Sequence, residues 1–487
     1  MEDVKQHTKS TFGNLAFKSG MLYLIAELIT RGISFLATPF FTRLLTPVVF
    51  AEVRTFETWT YLLAPLLSVN VYLSLPRAKI DFNKDLKKYF SSIIFLQIVI
   101  TCVIILVVLP FMHWISTILG FDEVLIYVMI IFCLGYSCIQ TLQIYDRQIL
   151  NYSRNFIMTI LGSVPSTLIS IVIVILFHNK IADDKMVNVR ILSFFVPTAI
   201  IGVLVGIIIL FKVKKFYERD YWKYALQYSA PIIITTISSQ IFFQSGTLFV
   251  RYLSGIKESA LIAIAITAGY IMDIFIHALD NAWKPWLFEK LNKKMYFDVK
   301  LMIRRLLILN IIFIIAMMML GPELILILGG EKYFLAIELL PPILLSTFIN
   351  FLMITYISFE QYEKNTVGSG KYCFYTILFC LICNYIGIQL FGYRCAAYIP
   401  IITYLFGSLL HIFDLHKRNY WSVLNIQFTV KYLVFITIIM VCSAYFYRLG
   451  LMVRSILVVV CILGILFMNY KDIIGLKEIL KKGGKES

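Results

Sequence analysis

Four stretches of the chain place ionisable and amide side chains at helical spacing inside otherwise apolar sequence. They are Glu27, Arg31, Ser34 and Thr38; Arg54, Glu57, Tyr61 and Ser68; Gln240, Gln244, Thr247 and Arg251; and Asp273, His277, Asp280 and Lys284. Steps of three and four residues put such groups on one face of a helix. An ionisable group at the centre of a bilayer costs about 2.5–3.5 kcal/mol, so it faces a cavity, finds a partner or performs a task. Arginines on such a face can hold an anion through charge-assisted hydrogen bonds. Carboxylates there can take a proton or Na⁺, and His277 beside Asp273 can titrate near neutral pH. Plainer uses stay open. Glu27 and Arg31 can neutralise each other, as can Asp280 and Lys284. Arg54, Arg251 and Lys284 lie near span ends and can snorkel to headgroups.

The elements that must position these residues follow from composition. Of 487 residues 60% are hydrophobic and only 15% charged, with a mean hydropathy of +0.84. Soluble chains are about 45–50% apolar and about 25% charged. The excess excludes a soluble globular enzyme, a disordered chain, a coiled coil and a secreted disulfide scaffold. An all-α polytopic membrane protein is left. Fourteen helical spans are expected, near 20–44, 51–76, 89–112, 122–144, 156–178, 189–211, 228–252, 259–282, 303–321, 338–358, 371–391, 395–415, 428–447 and 452–469. The first, second, seventh and eighth carry the polar faces.

The formal net charge is +16. The basic residues cluster in short loops, from Arg77 to Lys88, Lys212 to Lys223 and Lys284 to Arg305, while the stretch His113 to Phe121 has none. This is the positive-inside pattern, with both termini cytoplasmic, and not a nucleic-acid surface. The basic Lys481–Lys485 tail reads as an anchor near anionic lipid. Phe41-Thr42-Arg43-Leu44-Leu45 is echoed by Phe249-Val250-Arg251-Tyr252-Leu253, and Pro76-Arg77 by Lys284-Pro285. The echo suggests two six-helix halves related by an axis along the membrane normal, whose stripes line one cavity of an alternating-access transporter. The expected division is a cytoplasmic segment 1–19, halves 20–215 and 216–420, two further helices in 421–470, and a tail 471–487.

Other polar positions say less. Nine cysteines lie mostly within apolar runs, and Cys380-x-x-Cys383 reads as two small hydrophobes. His113, His178 and His411 are expected at span ends, and Asp146 and Arg147 as a pair opening a loop. Pro39, Pro65, Pro165, Pro197 and Pro231 are expected to kink spans. Trp114, Trp222, Trp283, Trp286 and Trp421 read as interface anchors. The sequence carries no P-loop, zinc spacing, Gly-x-Ser-x-Gly or dinucleotide fingerprint. No enzymatic activity, cofactor or metal is expected.

Gly32-Ile-Ser-Phe-Leu-Ala-Thr-Pro-Phe-Phe-Thr-Arg-Leu-Leu-Thr-Pro47, Ala282-Trp-Lys-Pro-Trp-Leu-Phe-Glu289, Pro322-Glu323 through Gly329-Gly330 to Tyr333 and Ala336, and Asn384 followed by Phe391-Gly-Tyr-Arg-Cys-Ala-Ala397 recur in this order. With them the chain resembles the Wzx-type polysaccharide flippases of the multidrug/oligosaccharidyl-lipid/polysaccharide (MOP) exporter superfamily. The resemblance covers nearly the whole chain. It implies twelve core helices in two bundles, with two extra, and a cavity lined by spans one, two, seven and eight. It implies movement of an undecaprenyl-pyrophosphate-linked oligosaccharide across a bacterial inner membrane, for O-antigen, capsule or exopolysaccharide. Its partners would be that substrate, membrane lipids, and a polysaccharide polymerase and chain-length regulator. Cavity cations matching the family's are Arg31, Arg54 and Arg251. The chain lacks the Asp that relatives often carry near Gly246-Thr247, and the Gly-x-Tyr expected at Ser259 to Ala263. The stripes hold comparable numbers of acids and bases, which leaves room for a Na⁺ or H⁺ site at Glu27, Glu57 or Asp273. Two rivals stay open: a proton- or sodium-coupled multidrug antiporter, and a membrane-embedded glycan polymerase or ligase.

Overall fold

A computed structural model describes residues 32–470 except residues 34, 150, 179 and 364. Among them every regular element is helical. Eleven helices are long and apolar enough to cross a membrane. They coincide with the expected spans three to six and eight to fourteen. The first expected span is described from residue 32 onward, and the second and seventh form helices at their expected places but are more polar. The fold is therefore that of a polytopic helical membrane protein. The terminal segments 1–19 and 471–487 lie outside the described residues, as do Glu27 and Arg31.

The chain divides into two compact units, 1–240 and 241–487. The first holds α1 (residues 35–44), α2 (Pro47–Leu67), α3 (Leu75–Asp81), α4 (Leu86–Val108), α5 (Met112–Leu119), α6 (Glu123–Gln148), α7 (Tyr152–Leu161), α8 (Val164–Phe177), α9 (Asp183–Val213) and the start of α10 (Arg219–Leu253). The division falls inside α10, whereas the expected border between halves, 215/216, lies in the loop before it. At the centre of this unit α6 and α9 pack backbone to backbone. A Cβ built on Gly202 would stand 2.1 Å from the carbonyl oxygen of Gly135. Only two glycines permit that approach. Beside it Ser170 and Ser193 hydroxyls (2.8 Å) and Thr198 to Ser166 (2.7 Å) join α8 to α9. These small hydroxyls satisfy each other and let the helices approach closely.

The helix ends depart from expectation for local reasons. α2 starts at Pro47, because Thr46 accepts a hydrogen bond from the Val49 amide and proline fits the first turn. It stops at Leu67, where Val69 and Asn70 adopt φ of 51° and 46°, short of the expected residue 76. The expected span 156–178 is broken into α7 and α8 at Gly162-Ser163, with Pro165 in the first turn of the second piece. Proline there starts a helix and does not kink one. Asp146 pairs with Arg154 of α7 and not with its neighbour Arg147, because successive residues on a helix point in different directions.

The second unit holds the end of α10, α11 (Ile256–Asn292), α12 (Tyr296–Met319), α13 (Gly321–Gly329), α14 (Leu340–Tyr362), α15 (Thr366–Phe391), α16 (Cys395–Lys417), α17 (Ile426–Phe446) and α18 (Leu451–Met468). α14 is buried along almost its whole length, packed against α11, α12, α16 and α17. α17 and α18 are fixed to α12 and α13 by polar contacts. Tyr447 donates to the Met318 carbonyl (2.7 Å), and buried Arg454 donates to the Met319 carbonyl (2.8 Å) and to Glu323 (3.0 Å). Two expectations are corrected here. Trp283 is not an interface anchor, being only 3% exposed, because α11 continues inside the packed unit to residue 292. His411 is not at a solvated span end but fully buried against Glu360, since α14 and α15 close over it.

Candidate functional site

In the first unit the polar face of α2 meets α1 and α9. The Thr46 cap sets the register of α2, so Arg54 and Glu57 lie one turn apart and pair at 2.9 Å. Arg54 also donates to the Thr38 hydroxyl of α1 (3.4 Å) and stacks over Phe50. A second guanidinium reaches the same carboxylate from α9, with Arg190 Nη2 3.7 Å from Glu57 Oε1. Arg190 lies over the Phe41 ring at 4.0 Å, and its side chain is only 7% exposed. Its Nε and Nη1 have no hydrogen-bond partner among the described residues. Two cations thus share one carboxylate, and among these three groups a positive charge is left over. Arg54 is the accessible member, 27% exposed. An anion approaching it meets a donor already oriented by Glu57 and Thr38.

Arg190 was not legible as a site residue, since no ionisable residue stands three or four positions from it in the sequence. The other α2 positions do less. Tyr61 meets the Phe132 ring edge-on, and Ser68 bonds back to the Ala64 carbonyl as the end of α2.

In the second unit α11 carries its four expected residues on one face, in two steps. Asp273 and His277 stand 3.6 Å apart, and Asp280 and Lys284 2.9 Å apart. Ser358 of α14 donates to Asp280 (3.3 Å). His277 is half exposed while Asp273 and Asp280 are nearly buried, so the acids are held and the bases reach outward. Gln244 of α10 donates to the Tyr270 hydroxyl of α11 (3.0 Å). Arg251 ends α10 and stacks over Tyr252. A cavity of about 30 Å³ lies between α10, α11, α14, α15 and α16, lined by Ser245, Gly246, Asn350, Asn384 and Tyr404 among apolar groups. It has room for one or two waters and not for a sugar. Cys380 and Cys383 of α15 are free thiols. Among the described residues no cluster of His, Cys, Asp and Glu could hold a metal ion.

Residues 16–291, more than half of the chain, match the family model described as polysaccharide biosynthesis protein. The chain belongs to that family. This polysaccharide biosynthesis protein is also similar in fold to solved transporters. A structure titled as the lipid II flippase MurJ in an inward closed conformation matches with a TM-score of 0.70 and 15% identity, over 93% of this chain and 100% of that one. An inward-facing multidrug resistance MATE family transporter of the MOP superfamily matches with a TM-score of 0.60 and 14% identity, over 82% and 98%. A MOP superfamily transporter from Pyrococcus furiosus matches with a TM-score of 0.52 and 12% identity, over 84% and 96%. No curated protein matches the chain. At these identities the solved structures establish the fold: that of the MOP transporters, polytopic and helical, as the sequence motifs implied.

Proposed function

We propose that this protein is a flippase that moves undecaprenyl-pyrophosphate-linked oligosaccharide repeat units across the bacterial inner membrane, for O-antigen, capsule or exopolysaccharide assembly. The observation that carries this reading is the Arg54–Glu57–Arg190 group, where two guanidiniums share one carboxylate on a partly open face. Its surplus charge suits an anionic diphosphate better than the hydrophobic cation of a drug antiporter. Membership of the polysaccharide biosynthesis family supports the same choice, as does the likeness in fold to a lipid II flippase.

In this mechanism the diphosphate reaches Arg54, with Arg31 as a further cation on span one. Each charge-assisted bond contributes roughly 1.5–3 kcal/mol. Glu57 keeps Arg54 extended and discharges it when no substrate is present. The polyprenyl tail stays in lipid. The termini are cytoplasmic in this reading, on the strength of the loop charges. A polymerase and a chain-length regulator act on the product, and H⁺ or Na⁺ supplies the energy.

The test is complementation of a strain lacking the gene. Wild-type protein restores surface polymer, and Arg54→Ala at equal expression restores less than about a tenth of it, because one charge-assisted bond of roughly 1.5–3 kcal/mol corresponds to about tenfold or more. Full restoration by Arg54→Ala overturns the assignment of the diphosphate to this group. Unchanged glycans in the deletion strain, with altered drug sensitivity, favour the antiporter.

A further inference from the structure

Away from these polar faces, the second unit buries an acid and a base against each other. Glu360, in the last turn of α14, and His411 of α16 are both 0% exposed, with Nδ1 2.8 Å from Oε1. Their outer atoms, Glu360 Oε2 and His411 Nε2, are buried without any hydrogen-bond partner among the described residues. The pocket is tight. The Tyr372 ring of α15 stands edge-on to the imidazole at 5.5 Å. One turn from His411, a Cβ on Gly407 would stand 2.8 Å from Met353 Sδ of α14 and 3.0 Å from Thr376 Oγ1 of α15.

The charged groups on every neighbouring element are engaged elsewhere or lie outside the pair. On α16, Asp414 takes Arg418 (2.7 Å), Asn365 (3.1 Å) and Tyr372 (3.4 Å), and Lys417 lies over Phe413. Glu363, beyond α14, accepts from Tyr420. α15 brings Cys373 and Lys371 as well as Tyr372. α11 brings Asp280 with Lys284, joined to α14 through Ser358. α12 brings Arg304, over Phe428, and Arg305; α17 brings Lys431, over Tyr432. Lys364 lies outside the described residues. Among the described residues His411 is thus the group within hydrogen-bond reach of the Glu360 carboxyl, and its proton, beside the more distant charge of Arg418, sets the charge of the pocket.

We propose that Glu360 and His411 together form a proton-binding site in the second unit. The pair takes one proton from water and holds it between Nδ1 and Oε1. With it, the pair is neutral overall, either as imidazolium and carboxylate or as imidazole and carboxylic acid. Without it, a carboxylate faces a neutral imidazole in a closed apolar pocket, and the net negative charge favours hydration of Oε2 and Nε2. Hydration needs the ends of α14 and α16 to part. Proton binding therefore favours the packed state, and proton release favours the opened one. On the translocator reading above, on which this use of the site rests, the proton is the coupling ion, and it is bound in the second unit whereas Arg54 belongs to the first.

The test uses the full chain in lipid nanodiscs with ¹⁵N-labelled histidine. There are six histidines, and the signal absent from His411→Asn identifies the ring. The expected result, read across the pH range in which the chain stays folded, is a His411 ring whose proton affinity falls about tenfold in Glu360→Gln. Should Glu360→Gln fail to fold, hydrogen exchange of the wild-type chain at the ends of α14 and α16 serves in its place: protection is expected to fall when the His411 ring loses its proton, and protection independent of that proton overturns the proposal. A ring unchanged across the whole range, or an identical midpoint in wild type and Glu360→Gln, overturns the proposal. The measurement involves no glycan, so its failure leaves the flippase reading standing, while failure of that reading is seen in the deletion strain.

Discussion

Glu57 is the residue on which the first-unit group depends. It holds Arg54 at 2.9 Å and lies 3.7 Å from Arg190. Removing it leaves two guanidiniums close together with no ion-pair partner between them among the described residues, one of them buried. Breaking a buried pair from one side costs about 3–5 kcal/mol. Glu57→Ala is therefore expected to lower the thermal unfolding midpoint markedly. Arg54→Ala is expected to change stability by no more than about 1 kcal/mol, because Arg54 is the exposed partner, while still reducing export. Thermal unfolding of the two variants in detergent, beside surface glycan measured in cells, separates the roles. Equal destabilisation by both would show that Glu57 is not shared. Half of this group was legible in the sequence. Arg54 and Glu57 are three residues apart, so helical periodicity joins them. Arg190 is far along the chain from Glu57, and no local pattern links them. His411 and Glu360 escaped for the same reason.

At the scale of elements, apolar run length placed the helices well where the runs are unbroken, as in α4, α12 and α16. It failed where polar residues or caps set the ends. α2 begins at a Thr-Pro cap and ends at two left-handed residues, neither of which alters hydropathy much. Two contacts give direct tests. Gly202→Ala must separate α6 from α9, since the added methyl has a backbone oxygen and no side chain to displace. The expected loss is about 1–3 kcal/mol or more, read as a lower unfolding midpoint; an unchanged midpoint would mean that the helices do not approach so closely. Arg454→Met removes the bonds to the Met319 carbonyl and to Glu323, each worth about 1–3 kcal/mol at a charged group. Hydrogen exchange is expected to rise in α17 and α18 and not in α14. Uniform protection across all three would show that apolar packing alone holds the last two helices.

For the whole molecule, composition alone identified a polytopic membrane protein, because so much apolar surface has no other solvent. Family membership and the MOP transporter fold agree with what the loop motifs implied. The carried glycan was not legible, for sugars are recognised by polar groups of the commonest kinds, which no local sequence pattern sets apart. The central claim concerns which leaflet holds the lipid-linked glycan. The most direct measurement is depletion of the protein from living cells, followed by probing intact spheroplasts with a lectin that cannot cross the membrane. The account predicts that undecaprenyl-linked repeat units accumulate and stay hidden from the lectin until the membrane is opened, and that wild-type protein makes them accessible again. Accumulated units that the lectin already reaches in depleted spheroplasts would contradict it, because translocation would then have proceeded without this protein.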